Sequence, residues 1–224
     1  METTMLILEI IGTIAFAVSG ALAATRHSLD ILGIIIVAVT TAVGGGAIRD
    51  LTVGITPPTV FTNPIYLIVA LLTCVVFIIW QLLIRSDWKL WKKIPAQFFE
   101  KAFNLTDAIG LGVFTVSGAA VAAKMGHENN FVLVIFVGAI TGVGGGILRD
   151  LFTGQIPAIF TKHIYALASL IGAITYYFLR TAIDRQAAML LVVVLVVIIR
   201  LISAKYKISL PKLSANIENK KPKQ

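Results

Sequence analysis

The feature that most constrains this chain is a motif that occurs once in each half of it. Residues 44–54 read Gly-Gly-Gly-Ala-Ile-Arg-Asp-Leu-Thr-Val-Gly, and residues 144–154 read Gly-Gly-Gly-Ile-Leu-Arg-Asp-Leu-Phe-Thr-Gly. Upstream, Phe-Ala-Val-Ser-Gly-Ala at 16–21 matches Phe-Thr-Val-Ser-Gly-Ala at 114–119. A match of this extent indicates an internal repeat. The upstream register also pairs Glu9 with Asp107, and downstream, residues 58–66 match residues 157–165.

The composition places both copies of the repeat in a membrane. Hydrophobic residues make up 58% of the chain and charged residues 13%, whereas soluble domains are about 45–50% apolar and about 25% charged. A helix needs roughly 20 apolar residues to cross a bilayer. We therefore expect an all-α polytopic membrane protein with seven transmembrane helices. The apolar stretches are 5–25, 31–53, 64–84, 106–123, 131–152, 164–180 and 187–203.

Each copy of the repeat contains three of these stretches. Because three is odd, the second copy enters the membrane from the opposite side. The sequence thus predicts two inverted three-helix repeats related by a pseudo-two-fold axis in the membrane plane, as in many transporters. The predicted division is 1–84 for the first repeat, 85–105 for a basic interfacial loop, 106–180 for the second repeat, 181–204 for the seventh helix and 205–224 for a polar basic tail.

Lys and Arg are distributed unevenly between the two sides that seven spans define. Fifteen of the 19 lie on the side of the C-terminus, and four lie on the side of the N-terminus. Cytoplasmic segments carry the basic excess, which predicts an outside N-terminus and a cytoplasmic C-terminus. Trp88 and Trp91 lie among lysines in the loop 85–105, and this pairing is typical of a segment at the cytoplasmic membrane interface.

The triple glycines are unusual inside apolar helices, since each glycine costs roughly 1 kcal/mol of helix propensity relative to alanine. They are Gly44, Gly45 and Gly46 in the second span and Gly144, Gly145 and Gly146 in the fifth. One interpretation is close helix packing through small residues. We favour a kink or unwound turn whose carbonyls line a path, because three consecutive glycines cover most of the helix circumference.

Charged residues follow both triple glycines. Arg49, Asp50, Arg149 and Asp150 either form helix-end ion pairs or form a charged ring at each mouth of a path, and the sequence leaves both open. Glu9 and Asp107 lie near helix starts, where interfacial solvation suffices, yet their symmetric placement also makes them candidates for a path.

Four hydroxyl residues are further candidates to line a path. Ser19, Thr41, Ser117 and Thr141 occupy matched positions in the two copies. The alternative is that these hydroxyls bond to their own helix backbone. The sequence lacks a metal-ligand cluster, a cofactor motif and the His-Glu-x-x-His, Gly-x-Ser-x-Gly and phosphate-loop signatures, so we expect no cofactor, no resident metal and no enzyme. The +8 net charge is explained by membrane orientation, and no nucleic-acid partner is expected.

The repeated Gly-Gly-Gly-x-x-Arg-Asp motif, with a preceding Phe-x-x-Ser-Gly-Ala helix, resembles the bacterial inner-membrane family named UPF0126 or glycine-transporter-like. That family looks like the prokaryotic branch of the trimeric intracellular cation (TRIC) channels. The resemblance covers residues 5–203. It implies a homotrimer in a bacterial or archaeal plasma membrane, a pore for K⁺ and Na⁺ in each subunit, and second and fifth helices kinked at their triple glycines.

Two functions remain open at this point. The first is a monovalent cation channel, and the second is a secondary transporter for a small solute such as glycine. A channel needs a continuous wet path with weak sites, whereas a carrier needs an occluded site and alternating access.

Overall fold

The computed structural model describes residues 2–86, 95–161 and 164–206, and within these ranges the regular structure is entirely helical. Seven of its helices are long and apolar enough to cross a membrane. The long helices are α1 (Glu2–Arg26), α2 (Ile31–Thr52), α4 (Ile65–Ser86), α5 (Ala96–Ala122), α6 (Phe131–Phe152), α8 (Ile164–Ala182) and α9 (Arg185–Tyr206). Two short helices, α3 (Thr59–Thr62) and α7 (Ala158–Thr161), follow α2 and α6. A π-helical turn, Ala123–His127, continues α5.

The seven predicted spans are confirmed. The fourth begins earlier than expected, because α5 starts at Ala96 and residues 96–105 are helical rather than loop. Residues 87–94, with the predicted interfacial tryptophans, and the basic tail from residue 207 lie outside the described residues. The proposed domain boundaries stay a prediction.

Helices α2 and α6 begin and end in the same way. The side chains of Asp30 and Asn130 accept hydrogen bonds from the first turns of α2 and α6, as N-caps do. Gly54 and Gly154 follow the helix ends with φ of +80° and +69°, a conformation that glycine adopts without strain. This shared ending turns the chain back toward the bundle, where the short helices start.

The two repeats pack against each other through matched helices. Helix α1 lies against α5, and α2 lies against α6. Phe16 and Phe114, which occupy matched positions, stack with ring centroids 5.3 Å apart. Helix α9 packs on α5 and α8 and therefore extends the second repeat alone.

The predicted kinks at the triple glycines are not shown, since α2 and α6 remain α-helical through residues 44–46 and 144–146. The glycines instead permit close contact between the two helices. A Cβ at Gly45 would lie 2.4 Å from the carbonyl oxygen of Thr141, and one at Gly145 would lie 2.3 Å from that of Thr41. The contacts point in several directions, because a Cβ at Gly146 would instead meet the Tyr165 hydroxyl. Packing on different faces thus explains the glycines of the two triplets other than Gly46, where a Cβ would meet no atom closer than 3.9 Å.

Candidate functional site

The first candidate site is a group of side chains that we call the first cluster: Glu9, Arg49, Asp50, Tyr66 and Ser117. Tyr66 is half-buried and the other four are buried. Arg49 is its centre. Its Nη1 donates to Glu9 Oε1 at 3.1 Å and to Ser117 Oγ at 2.8 Å, and its Nε donates to Asp50 Oδ1 at 2.8 Å. Ser117 Oγ in turn donates to Glu9 Oε1 at 2.6 Å, and the Tyr66 hydroxyl donates to Glu9 Oε2.

The second cluster is built from the matched residues and one addition: Ser19, Asp107, Arg149, Asp150, Tyr165 and Arg200. Arg149 Nη1 donates to Asp107 Oδ1 at 2.6 Å and to Ser19 Oγ at 2.8 Å. Its Nε donates to Asp150 Oδ1 at 2.9 Å. The Tyr165 hydroxyl donates to Asp107 Oδ1 at 3.1 Å.

The partners of the two arginines show that the repeats are inverted. Glu9 precedes Ser19 along α1, and Asp107 precedes Ser117 along α5. Ser117 nevertheless meets Glu9, which requires α1 and α5 to run in opposite directions. Each arginine therefore binds a carboxylate of its own repeat and a serine of the other repeat.

The carboxylates after the arginines have a second partner. Asp50 Oδ2 accepts from the backbone N–H of Thr59 at 2.7 Å, and Asp150 Oδ2 accepts from that of Ala158 at 2.7 Å. These N–H groups begin the short helices α3 and α7, where an orphan donor needs an acceptor. Both aspartates thus join an ion pair to the segment that follows their helix, which is the ion-pair interpretation of the sequence.

Burial makes these ion pairs costly to break. The side chains of Arg149 and Asp107 are each 1% exposed, and those of Arg49 and Glu9 are 8% and 11% exposed. Charges inside a membrane protein persist when they pair with one another, and removing one member of a buried pair costs about 3–5 kcal/mol. The clusters therefore hold the two repeats together at both ends.

Two residues distinguish the second cluster from the first. Arg200 of α9 donates from Nη2 to Asp107 Oδ2 at 3.3 Å, and its guanidinium lies 4.6 Å from the centre of the Tyr165 ring. The Phe103 ring lies 4.6 Å from the Arg149 guanidinium. In the repeat register Phe103 matches Met5, and α9 has no counterpart in the first repeat.

The cavities reflect this difference. A cavity of about 850 Å³ between α1, α5, α8 and α9 reaches Glu9, Arg49 and Tyr66 of the first cluster. A void of about 30 Å³ shares these three residues and extends to Phe114. At the opposite end, a cavity of about 760 Å³ lies between α1, α2, α4 and α5, and the described residues that line it include no member of the second cluster.

The structure divides the four hydroxyl candidates into two pairs. Ser19 and Ser117 belong to the clusters, and their path-lining role stays a prediction. Thr41 and Thr141 are buried and donate to the carbonyls of Val37 and Val137 in their own helices, at 2.6 and 2.5 Å. Among the described residues, no group of three or more His, Cys, Asp or Glu is placed to hold a metal ion.

Four members or neighbours of the clusters were not among the predicted site residues. Tyr66 and Tyr165 stand in the matched segments that follow the short helices, so the repeat itself could have identified them. Phe103 and Arg200 have no matched aromatic or basic residue in the first repeat. Only contact in the folded chain reveals them.

Comparison with known proteins places this architecture in a family. A family model described as glycine transporter matches residues 6–81 and 104–181. The UPF0126 membrane protein YvgT of Bacillus subtilis is 40% identical over 75% of this chain and 77% of its own length. The UPF0126 inner membrane protein YadS of Escherichia coli is 35% identical over 91% of this chain and 93% of its own length.

Solved structures extend the comparison to channels. A prokaryotic TRIC channel in 0.5 M KCl superposes with a TM-score of 0.81 at 31% identity, covering 94% of this chain and all of the other. The TRIC trimeric intracellular cation channel orthologue from Rhodobacter sphaeroides gives 0.80 at 31% identity, covering 92% and 100%. These relatives are membrane channels or transporters and not enzymes. The chain belongs to the glycine-transporter, or UPF0126, family of multi-pass membrane proteins, whose solved structural neighbours are TRIC channels.

Proposed function

We propose that this protein is a channel for monovalent cations, chiefly K⁺ and Na⁺, and that it works as a homotrimer with a path through each subunit. One observation carries the proposal: at each end, an arginine of one repeat is bonded to a serine of the other. A small shift between the repeats breaks both bonds and frees the path between them. The close match to solved TRIC cation channels supports the same function.

The chemistry of the clusters favours cations. Each cluster holds two carboxylates at its arginine, and these become available when the guanidinium moves away. Carboxylates that face a water-filled cavity raise the local concentration of cations, an effect that weakens as salt screens it. Glu9 already borders the 850 Å³ cavity, so the first cluster is the end at which ions arrive most directly.

We also propose that the N-terminus lies outside and the C-terminus in the cytoplasm of a bacterial or archaeal cell. The basic excess at the C-terminal side supports this orientation. Reporter fusions at Gln224 test it, since a reporter that works only in the cytoplasm should be active there. An active periplasmic reporter at the same position would reverse the orientation.

The deciding experiment is single-channel recording of purified protein in planar bilayers under a K⁺ gradient. Discrete unitary currents that reverse near the K⁺ equilibrium potential are expected. Saturable glycine uptake without such currents would instead establish a carrier. Native mass spectrometry of the same sample should give the mass of three chains.

A matched pair of variants links the current to the first cluster. Glu9→Gln keeps acceptors for Arg49 and Ser117 but removes the charge, and we expect the K⁺ conductance at low salt to fall roughly twofold or more. Glu100→Gln removes an exposed carboxylate from α5 and should leave the conductance unchanged. Equal conductance in both variants would exclude Glu9 from the path.

A further inference from the structure

Helix α9 is the one long helix of the described chain that stands outside the two repeats, and it sends a charged side chain into a cluster. Arg200 is 4% exposed and lies in an otherwise apolar stretch of α9. Arginine inside a membrane helix is disfavoured unless it serves an interior site. Its presence at this position therefore needs an explanation beyond the repeat.

Arg200 makes fewer hydrogen bonds than Arg149, the other arginine of the second cluster. Arg149 uses Nε, Nη1 and Nη2 to bind carboxylates or serine. Arg200 makes one bond, from Nη2 to Asp107 Oδ2 at 3.3 Å, and lies over the Tyr165 ring. Its buried Nε has no hydrogen-bond partner among the described residues. Arg200 is thus buried without being fully bonded, so it can leave its place more readily than Arg149.

Because of Arg200, both carboxylate oxygens of Asp107 accept hydrogen bonds. Arg149 and Tyr165 occupy its Oδ1, and Arg200 occupies its Oδ2. The second cluster therefore has two guanidiniums for two carboxylates, whereas the first has one guanidinium for two carboxylates. A cation that reaches Asp107 therefore meets two oxygens that already accept hydrogen bonds from Arg149, Tyr165 and Arg200.

We propose that Arg200 is a positioning residue, a latch from α9 that keeps Asp107 unavailable to cations and keeps the second end of the path closed. The inference rests on the proposed channel function and extends it to regulation. Any movement of α9 relative to α5 withdraws Arg200 from Asp107, and Arg149 remains to balance the carboxylate. The seventh helix is thereby coupled through Arg200 to the second end of the path.

A purely structural role is a poor explanation for this arginine. Replacing a buried ion pair with apolar side chains of similar volume is often neutral or stabilising. A helix that only had to pack on α5 and α8 would be served by an apolar residue at this position. The incompletely bonded guanidinium instead suits a contact that must be broken.

Single-channel recording tests the latch with four variants. Arg200→Gln and Arg200→Met both remove the charge, and Met also avoids leaving a polar group without a partner. We expect each to raise the ratio of open to closed times about tenfold, equivalent to 1.4 kcal/mol, with the unitary conductance at high salt unchanged. Arg200→Lys keeps a cation beside Asp107 and should restore gating close to that of the wild type. Lys205→Gln removes an exposed charge from the same helix and should have no effect.

The outcomes separate the two proposals. A wild-type protein without unitary currents would overturn the channel function itself. Wild-type currents with unchanged gating in Arg200→Gln and Arg200→Met would overturn the latch alone. The latch is also wrong if both of these variants fail to fold while Arg200→Lys folds and gates normally, because Arg200 would then be a structural ion pair.

Discussion

The two ends of this molecule are built from the same residues and yet differ in how they are closed. At the first end, the Arg49 cluster borders a cavity of about 850 Å³. At the second end, the Arg149 cluster is covered by Phe103 and joined by Arg200. The inverted repeat supplies two matched clusters, and two residues without a matched counterpart, Phe103 and Arg200, make their surroundings unequal.

This difference indicates where regulation can act on a protein built from two inverted repeats. Helix α9 packs on α5 and α8 and contacts the second cluster directly through Arg200. At the first end it lines the 850 Å³ cavity with Arg185 and Met189. If matched substitutions at the two ends have equal effects, the proposed difference between the ends is wrong.

The largest difference is expected for the central arginines. Arg49→Gln leaves Glu9 and the 1% exposed Asp50 without an ionic partner and should lower the free energy of unfolding by about 3–5 kcal/mol. Arg149→Gln should cost less, about 1–3 kcal/mol, because Arg200 still pairs with Asp107 and the side chain of Asp150 is 12% exposed. Unfolding titrations in SDS with purified protein measure both, and Arg185→Gln is an exposed control. Equal losses for Arg49→Gln and Arg149→Gln would contradict the comparison.

A smaller difference is expected for the third glycine of each triplet. A Cβ at Gly146 would lie 2.3 Å from the Tyr165 hydroxyl, whereas the nearest atom to a Cβ at Gly46 is 3.9 Å away. Gly146→Ala should therefore displace Tyr165 from Asp107 and destabilise the protein by about 1–3 kcal/mol. Gly46→Ala should be neutral or stabilise by up to about 1 kcal/mol through helix propensity.

The cause of the Gly146 effect can be checked within the same unfolding measurement. Tyr165→Phe removes the hydroxyl that the new methyl group would meet. Tyr165→Phe should therefore lower the free energy of unfolding less in the Gly146→Ala protein than in the wild type. Additive losses would show that the methyl group acts elsewhere.

Much of this site could be predicted because its residues occur at matched positions in both copies of the repeat. The pairing of Glu9 with Asp107 and of Arg49 with Arg149 indicated which charges matter, and the odd number of spans indicated that the copies are inverted. Partners could not be assigned, because the serine bound by each arginine comes from the opposite repeat. That exchange depends on how α1 crosses α5, which no spacing along the chain encodes.

The triple glycines show a second limit. Their low helix propensity predicted an interruption, yet α2 and α6 stay regular through them. Contacts between the two helices compensate the propensity cost, since the glycines let the backbones at Gly45 and Gly145 meet. Tertiary packing overrides local propensity in this way when a helix is surrounded on several sides.

The smallest difference is expected for the residue that covers the second cluster. Phe103→Met gives the second repeat the side chain that Met5 supplies in the first, and it removes a ring 4.6 Å from the Arg149 guanidinium. The Phe103 ring is half-buried, and a cation–π contact of this kind contributes about 0.5–1 kcal/mol. The ratio of open to closed times should therefore rise about two- to fivefold, less than the tenfold that corresponds to 1.4 kcal/mol.

The reciprocal variant completes this last test. Met5→Phe should place a ring near the cavity of the first cluster and reduce the unitary current at low salt. Phe98→Met, an exposed change on the same helix as Phe103, is the control and should alter neither gating nor current. If Phe103→Met and Phe98→Met gate alike, the Phe103 ring does not cover the cluster in the conducting protein. Arg200 alone would then account for the inequality of the two ends.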